Sequence, residues 1–410
     1  MKNLLRSLFP QSAINNFYHL PRAILANVFY GSPTRGLKVI GVTGTDGKTT
    51  TVNMIYQVLK AAGPPSGEAS KKVSMVSTIN VVVGGKSYDT GFHVTSPDPF
   101  MIQKFARQAA DNGDEYLILE VTSHALDQYR FWGIKFDVGV ITNITHEHLD
   151  YHKTFENYFN TKIKLIKGVK HAVLNQEILR LATLAQDDNK VVTFGLIEGD
   201  LNQKEARLKL KIPGEYNVEN ALAAMAVAFV LGIDKTVARK ALENFEGITG
   251  RMEEVKNNRG IKIFIDFAHT PNGLEQALKT LRSPDSHRGR LISLIGCEGF
   301  RDVGKRAMMG EIAQKLSDIV IVTSVDPRGQ IKEINKQILT GIKKAGGVLK
   351  ELCFIIENRQ EAINFAINKL AKKGDVIGIF GKGHENSMNL DGKQEIPWSD
   401  RKAVEKVLNG

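Results

Sequence analysis

Gly41-Val42-Thr43-Gly44-Thr45-Asp46-Gly47-Lys48-Thr49-Thr50 is the stretch that decides the fold. It follows a β-branched apolar run, 38–42, and opens a segment of helical period, 49–61. Glycine lets a backbone approach phosphate closely, and the N–H groups that open a helix point at an anion. Strand, loop and helix in this order predict a phosphate-binding loop lined by Gly44, Thr45, Gly47 and Thr50. Lys48 would meet the β- and γ-phosphates of a nucleotide, and the Thr49 hydroxyl would suit Mg²⁺. The strict pattern wants glycine at position 42, where this chain has Val42. The plain alternative is a glycine-rich turn before a helix, and an intact Gly-Lys-Thr in register with both elements argues against it.

Outward from the loop, short apolar runs alternate with helical stretches. The runs 116–121 and 136–141 read as further buried strands, and 220–231 as a strongly apolar helix. A second series follows at 261–267, 291–295, 319–323 and 376–380. Continuous apolar strands alternating with helices predict parallel sheets covered on both faces. Two series predict two tandem α/β domains, 37–247 and 248–410, with Gly247 and Gly250 suited to a hinge. Residues 1–36 are too few for a core of their own. They are expected to hold a short helix around 21–28 and a turn at Gly31-Ser32-Pro33, and to dock on the first domain.

The chain has 410 residues, enough for two or three domains at about 150 residues each. Its 42% hydrophobic and 24% charged residues are globular values, which excludes a disordered, collagenous or coiled-coil chain. The longest apolar run, 221–233, stops at Asp234, short of the roughly 20 residues of a membrane span. The first ten residues lack the apolar stretch of a secretory signal. Cys297 and Cys353 form no CxxC pair, so neither a disulfide framework nor a structural zinc site is indicated, and a reducing, cytoplasmic setting is expected. The net charge of +11 suits phosphate and carboxylate ligands. No basic run interleaved with aromatics points to nucleic acid.

Glu120-Val121-Thr122-Ser123-His124 leaves the end of a predicted strand, where open parallel sheets build their sites, so Glu120 can offer oxygen to a hard cation. Thr142-Asn143-Ile144-Thr145-His146-Glu147-His148-Leu149-Asp150-Tyr151-His152 follows another strand. Its histidines raise zinc, but His146, His148 and His152 lack the i, i+4 spacing of a helical zinc motif, and no fourth ligand is evident. By composition, Lys162 and Lys164 are solvated helix lysines, and Asn220 is an N-cap for the apolar helix.

These segments together resemble the Mur ligases, which join amino acids to a peptidoglycan precursor, and in particular their tripeptide-synthetase branch. The likeness begins at TGTDGKTT, although Asp46 stands where that branch more often has asparagine. It implies a P-loop-type central ATPase domain with a parallel sheet and a Rossmann-like C-terminal domain. It also implies ATP and two magnesium ions held by Thr49, Glu120 and His148, with Lys162 as a carbamylated lysine that serves as a further metal ligand. Lys164 is the rival for that last role. Catalysis would rest on Lys48, Glu120, Lys162 and His148. Gly214-Glu215-Tyr216-Asn217-Val218-Glu219-Asn220 is similar to the family's adenine-side segment and implicates Asn217 and Asn220. Gly250-Arg251-Met252-Glu253 and Asp266-Phe267-Ala268-His269 are similar to segments that close over the nucleotide, which implicates Arg251, Asp266 and His269.

Thr122, Ser123 and Arg301 fall on substrate positions of the family. Ser324-Val325-Asp326-Pro327-Arg328 and Gly381-Lys382-Gly383-His384-Glu385 resemble its amino-acid recognition segments, with Asp326, Arg328, Gly381 and Glu385 as contacts. Val325, Asp326, Glu298 and Phe300 depart from the usual residues. The substrates implied are a nucleotide-sugar peptide and an amino acid such as meso-diaminopimelate or lysine, joined through an acyl phosphate as the two domains close to exclude water. Residues 1–36 read as the remnant of a UDP-sugar domain, so a partner chain is one candidate source of the acceptor grip. The competing readings are a folylpolyglutamate-type ligase and a non-catalytic nucleotide-binding partner. SHALDQ, DPR and GKGHE oppose the first, and the intact Lys48, Thr49, Glu120, His148 and Lys162 oppose the second.

Overall fold

The computed structural model describes residues 10–63, 72–89, 96–145, 147–181, 190–282 and 289–410. By the packing of its backbone the chain divides into two units. One comprises Met1–His146, His152–Lys211 and Glu215–Phe245; the other comprises Glu147–Tyr151, Ile212–Gly214 and Glu246–Gly410.

The first unit is built on a nine-stranded sheet. Its strands are β1 (Lys38–Thr43), β2 (Val73–Val76), β3 (Asn80–Val83), β4 (Lys86–Asp89), β5 (Tyr116–Glu120), β6 (Val138–Ile141), β7 (His171–Asn175), β8 (Lys190–Gly195) and β9 (Leu201–Asn202). Their order is β4-β3-β2-β5-β1-β6-β7-β8-β9. All neighbours are parallel except the β2-β3-β4 meander at one edge. Side chains alternate across a strand, so Leu117 and Leu119 face one layer while Ile118 and Glu120 face the other. The first layer is a core that joins Val39 with Ile102, Phe105 and Ala106 of the helix Pro99–Asp111. The helix Lys48–Ala61 lies against the other face and packs on the helices Glu215–Val230 and Lys235–Glu243.

β1 sits between β5 and β6, so the connections that leave these three C-terminal ends converge. This is the topological position at which open α/β sheets bind ligands. The strand expectations at 38–42 and 116–121 agree with β1 and β5, and the run 136–141 contributes β6 only from Val138. The helix expected to start at 220 starts at Glu215. The N-terminal helix is longer than expected: the chain is helical from Gln11 to Phe29, through a wider turn at Asn15–His19. It docks on the first unit through Asn15, whose Nδ2 donates to Asp127 Oδ2 at 2.7 Å, and through Asn27, packed on Gly133.

The second unit carries β10 (Glu253–Glu254), β11 (Lys262–Asp266), β12 (Leu291–Ile295), β13 (Ile319–Val322), β14 (Cys353–Ile355) and β15 (Val376–Phe380) in the order β10-β11-β15-β12-β13-β14. Within this six-stranded sheet β10 pairs antiparallel and the other neighbours are parallel. Ile263, Ile265, Ile292, Leu294, Ile321, Ile377 and Ile379 form its core, closed by Ala362 and Ile363 and by Ala403 and Val404 of the C-terminal helix Asp400–Asn409. The helices Pro271–Arg282, Gly304–Leu316 and Ile331–Lys344 pack in series on one another. Among the described residues no helix is long and apolar enough to cross a membrane.

Candidate active site

In the first unit the loop after β1 is held from two sides. A Cβ on Gly44 would stand 1.8 Å from Thr142 Oγ1, and one on Gly47 (φ 80°) would stand 2.2 Å from Asn220 Oδ1, so both positions require glycine. From the end of β6, Thr142 Oγ1 donates to Asp46 O at 2.7 Å, and Asn143 Oδ1 accepts from Asp46 N at 2.9 Å. Thr145 N donates to Thr45 Oγ1 at 2.9 Å, and that hydroxyl also meets the Tyr158 hydroxyl at 3.0 Å. Thr142, Asn143 and Thr145 therefore buttress the loop. Asn220 does the same from behind, and Thr51 Oγ1 donates to its Oδ1 at 3.3 Å. Its side chain lies in the second turn of Glu215–Val230, which overturns the N-cap alternative. Asn217 is buried beside it and accepts from Asn220 Nδ2 at 3.4 Å.

Lys48 Nζ donates to Gly44 O at 2.9 Å and to Thr45 O at 2.7 Å, which sets its ammonium at the mouth of the loop. Thr49 Oγ1 lies 3.0 and 3.1 Å from the two Glu120 oxygens, and Thr78 N donates to Glu120 Oε2 at 2.8 Å. Thr50 is buried one residue further along the helix. A hydroxyl and a carboxylate side by side at the loop form the hard oxygen donor set that magnesium takes, so these residues fit the ion.

Lys162 is 1% exposed on the helix Phe155–Ile163, and its Nζ lies 4.6 Å from the Tyr158 ring centroid. Lys164 is a surface residue, half exposed, 3.8 Å from Asp127. The two lysines thus occupy different environments. His148 belongs to the short stretch that packs with the second unit and has a left-handed backbone, φ 58°. In the same stretch, Glu147 Oε1 accepts from the buried Lys305 Nζ at 3.1 Å. His146 lies outside the described residues.

Beyond β5, Thr122 caps the helix Ser123–Asp127 and meets Ser96 Oγ at 3.1 Å. Ser123 Oγ pairs with His152 Nε2 at 3.0 Å, and the His152 ring lies 5.2 Å from that of Tyr158. Arg130 Nη1 donates to Ser96 O at 2.6 Å. The sequence reading passes over Ser96 and Arg130 and weighs His152 only as a zinc candidate. None of the three has a local pattern that marks it, and only the folded sheet brings them to Thr122 and Ser123.

In the second unit the motifs leave neighbouring strand ends. Asp266 Oδ1 and Oδ2 accept from Ala268 N and Met252 N, both at 2.7 Å, so this carboxylate clamps 250–252 to the end of β11. The Arg251 guanidinium lies 4.4 Å over the Phe267 ring, which also meets His269 at 4.5 Å and His384 at 5.1 Å. Burial, with the Arg251 charge adding to it, drives the His384 imidazole down to about 3, so it stays neutral. Arg301 Nε donates to Glu298 Oε2 at 3.1 Å.

After β13, Asp326 accepts from Lys382 Nζ at 3.0 Å and from Asn389 N at 2.9 Å. Arg328 Nη1 donates to Gly299 O at 3.0 Å, and its Nη2 lies 3.9 Å from Asp326 Oδ2. After β15, Gly381 leads into Lys382, whose Nζ lies 2.5 Å from Glu385 Oε2. Burial raises the Glu385 carboxyl to about 7 against the opposing pull of Lys382. Asp326, Lys382, Glu385 and Arg328 thus form one charged cluster. Asp326 and Arg328 hold left-handed backbones (φ 42° and 47°), the strained conformations that concentrate at binding loops.

The description of the Mur ligase middle domain matches residues 42–228, and that of the Mur ligase glutamate ligase domain matches residues 250–383. The chain belongs to the Mur ligase family, whose members use ATP and magnesium. One relative is the UDP-N-acetylmuramoyl-L-alanyl-D-glutamate–2,6-diaminopimelate ligase of Clostridium botulinum, 37% identical over 415 residues that cover 94% of this chain and 81% of the relative. A solved structure of a ligase with the same description aligns with a TM-score of 0.57 at 27% identity, over 92% of this chain and 79% of the other. A Mycobacterium tuberculosis folylpolyglutamate synthase, solved with ADP and AMPPCP, aligns with a TM-score of 0.66 at 19% identity, over 88% of this chain and 92% of the other, and shares the fold.

Proposed function

We propose that the chain is an ATP-dependent, ADP-forming ligase. It adds a diamino acid, 2,6-diaminopimelate in the first instance, to the free carboxylate of a UDP-N-acetylmuramoyl-dipeptide in the cytoplasm. The observation that carries this reading is the Thr49–Glu120 pair beside a lysine-capped phosphate loop, in a chain 37% identical to such a ligase over 94% of its length. On this reading residues 37–247 are the ATP-binding domain and 248–410 the second domain. Thr49, Glu120, His148 and a carbamylated Lys162 are the candidate magnesium ligands. The ion would offset charge on the phosphate oxygens.

The acceptor carboxylate oxygen bonds to the γ-phosphorus as the bond to ADP breaks, which leaves an acyl phosphate. The amine then attacks the carbonyl carbon, gives up a proton, and phosphate departs. Lys48 and the loop amides hold the phosphates in line, and preorganised charge of this kind is the main contribution to phosphoryl transfer. Thr122 and Ser123 stand beside Glu120 to orient the acceptor. Asn217 and Asn220 back the nucleotide loop, and Arg251, Asp266 and His269 are its candidate contacts from the second domain. Arg301 and Arg328 suit carboxylates, since a guanidinium forks onto two oxygens, and Glu385 suits an ammonium. Together they match the zwitterionic far end of a diamino diacid, which lysine lacks.

ADP release is expected with UDP-N-acetylmuramoyl-dipeptide and diaminopimelate, and weakly with lysine. Release only with a folate and glutamate, or none with any acceptor, would overturn the proposal. A second expectation concerns pH. Glu385 must be ionised to hold an ammonium and is protonated below about 7, so its grip weakens as pH falls. From pH 8 to pH 6 the amine KM should rise about tenfold, the ionised fraction of a group titrating near 7. In Glu385→Gln the KM should be high throughout and lose that limb; an unchanged limb in the variant would refute the assignment.

A further inference from the structure

We propose that the buried Arg359–Asp400 pair is the spacer that sets the two amino-acid recognition segments, 324–328 and 381–385, at their working separation. The inference rests on the ligase reading above and adds positioning residues to it. β13 and β15 carry these segments, yet β12 runs between them, so no ladder hydrogen bond ties one to the other. Arg359 bridges that gap. Its Nη1 donates to Ser324 O at 3.3 Å, where the chain leaves β13, and its Nη2 donates to Phe380 O at 3.0 Å, the last residue of β15.

The fork is itself fixed. Nε and Nη2 each lie 2.7 Å from an oxygen of Asp400, and the pair is almost wholly buried, at 2% and 0% exposure. Asp400 Oδ1 also accepts from Trp398 Nε1 at 2.8 Å, and Ser324 Oγ donates to Glu357 O at 2.6 Å, two residues before Arg359. A planar guanidinium held on one edge by a carboxylate presents its remaining N–H groups at fixed angles. The carbonyls that accept them are therefore placed as rigidly as the pair. Lysine has the charge but not the fork, so it can reach one partner at a time.

Arg359→Lys should keep the fold and raise the KM for the amino acid about tenfold, because small misplacements of a binding group cost large factors. The KM for ATP should stay within about twofold, since a purely structural defect would move both together. The double variant Arg359→Met with Asp400→Leu replaces the ion pair by apolar groups of similar volume, a change that often leaves stability intact. It should show the same selective rise and decides the matter if the lysine variant does not fold. Equal shifts in both KM values, or no shift in a folded variant, would overturn the proposal. If the unaltered chain turns over no amine, the ligase reading has failed, and amide exchange tests the spacer alone. The amides of Asn389, bonded to Asp326, and of Gly381 should exchange faster in the variants, and unchanged exchange would refute the spacer.

Discussion

Lys48→Ala is expected to lower the kcat for ADP release by about 10³-fold, a loss of about 4 kcal/mol of transition-state stabilisation. The ammonium is held on two carbonyl oxygens of the loop, Gly44 O and Thr45 O, which is where the proposed function requires a cation for the phosphates. Charge accumulates on the phosphoryl oxygens in the transition state, where a fixed cation contributes most. The substitution removes that cation and leaves the loop's other supports in place, because Thr142, Asn143 and Asn220 hold the backbone without Lys48. The variant should therefore melt near the parent temperature. Lys48→Arg should recover little, since a planar guanidinium does not reproduce a compact ammonium on a flexible stem. ADP release at saturating substrates measures the effect, and a kcat within about tenfold of the parent would show that Lys48 is not part of the chemistry.

What could be read from the sequence divides along physical lines. β1, β5, β12, β13 and β15 are buried on both faces, so they are continuous apolar runs that periodicity detects. The outer strands β2, β3, β4, β7, β8 and β9 go unread. β2, β3, β4 and β9 are short, β8 begins exposed at Lys190 and Val191, and the buried β7 is bounded by the polar His171 and Asn175, which break the apolar run. The phosphate loop is legible because its chemistry is local, ten residues in a row. Contacts made across the sheet are not: Asn220 against Gly47, Tyr158 on Thr45, His152 on Ser123, and Lys382 between Asp326 and Glu385. Apart from Lys382–Glu385, which lies within one motif, each joins residues far apart in the chain, and nothing in either partner's local pattern names the other.

The choice between Lys162 and Lys164 shows what folding adds, and it supports a prediction of comparable size. Sequence spacing to Tyr158 favours Lys162 with Lys164 as its rival; in the structure Lys164 points to solvent and Asp127, while Lys162 is enclosed next to Tyr158, whose hydroxyl touches the loop after β1. This enclosure beside the loop is what singles out Lys162 as the proposed site of carbamylation. In the proposed carbamylation the amine nitrogen would bond to the carbon of CO₂ with loss of a proton, and the product would be a carboxylate able to ligate magnesium. Lys162→Ala is therefore expected to lower turnover about 10²-fold, the upper range for losing a group that holds a metal in place. Acetate should restore part of it by occupying the vacated space as a carboxylate. In the parent chain, degassed CO₂-free buffer should depress the rate and bicarbonate restore it, and Lys164→Ala should behave as the parent in both. With ¹³C-bicarbonate the parent should show a carbamate carbon signal that Lys162→Ala lacks. Full activity of Lys162→Ala in limiting bicarbonate would remove the carbamate from the mechanism and leave Glu120 and Thr49 to hold the ion without it.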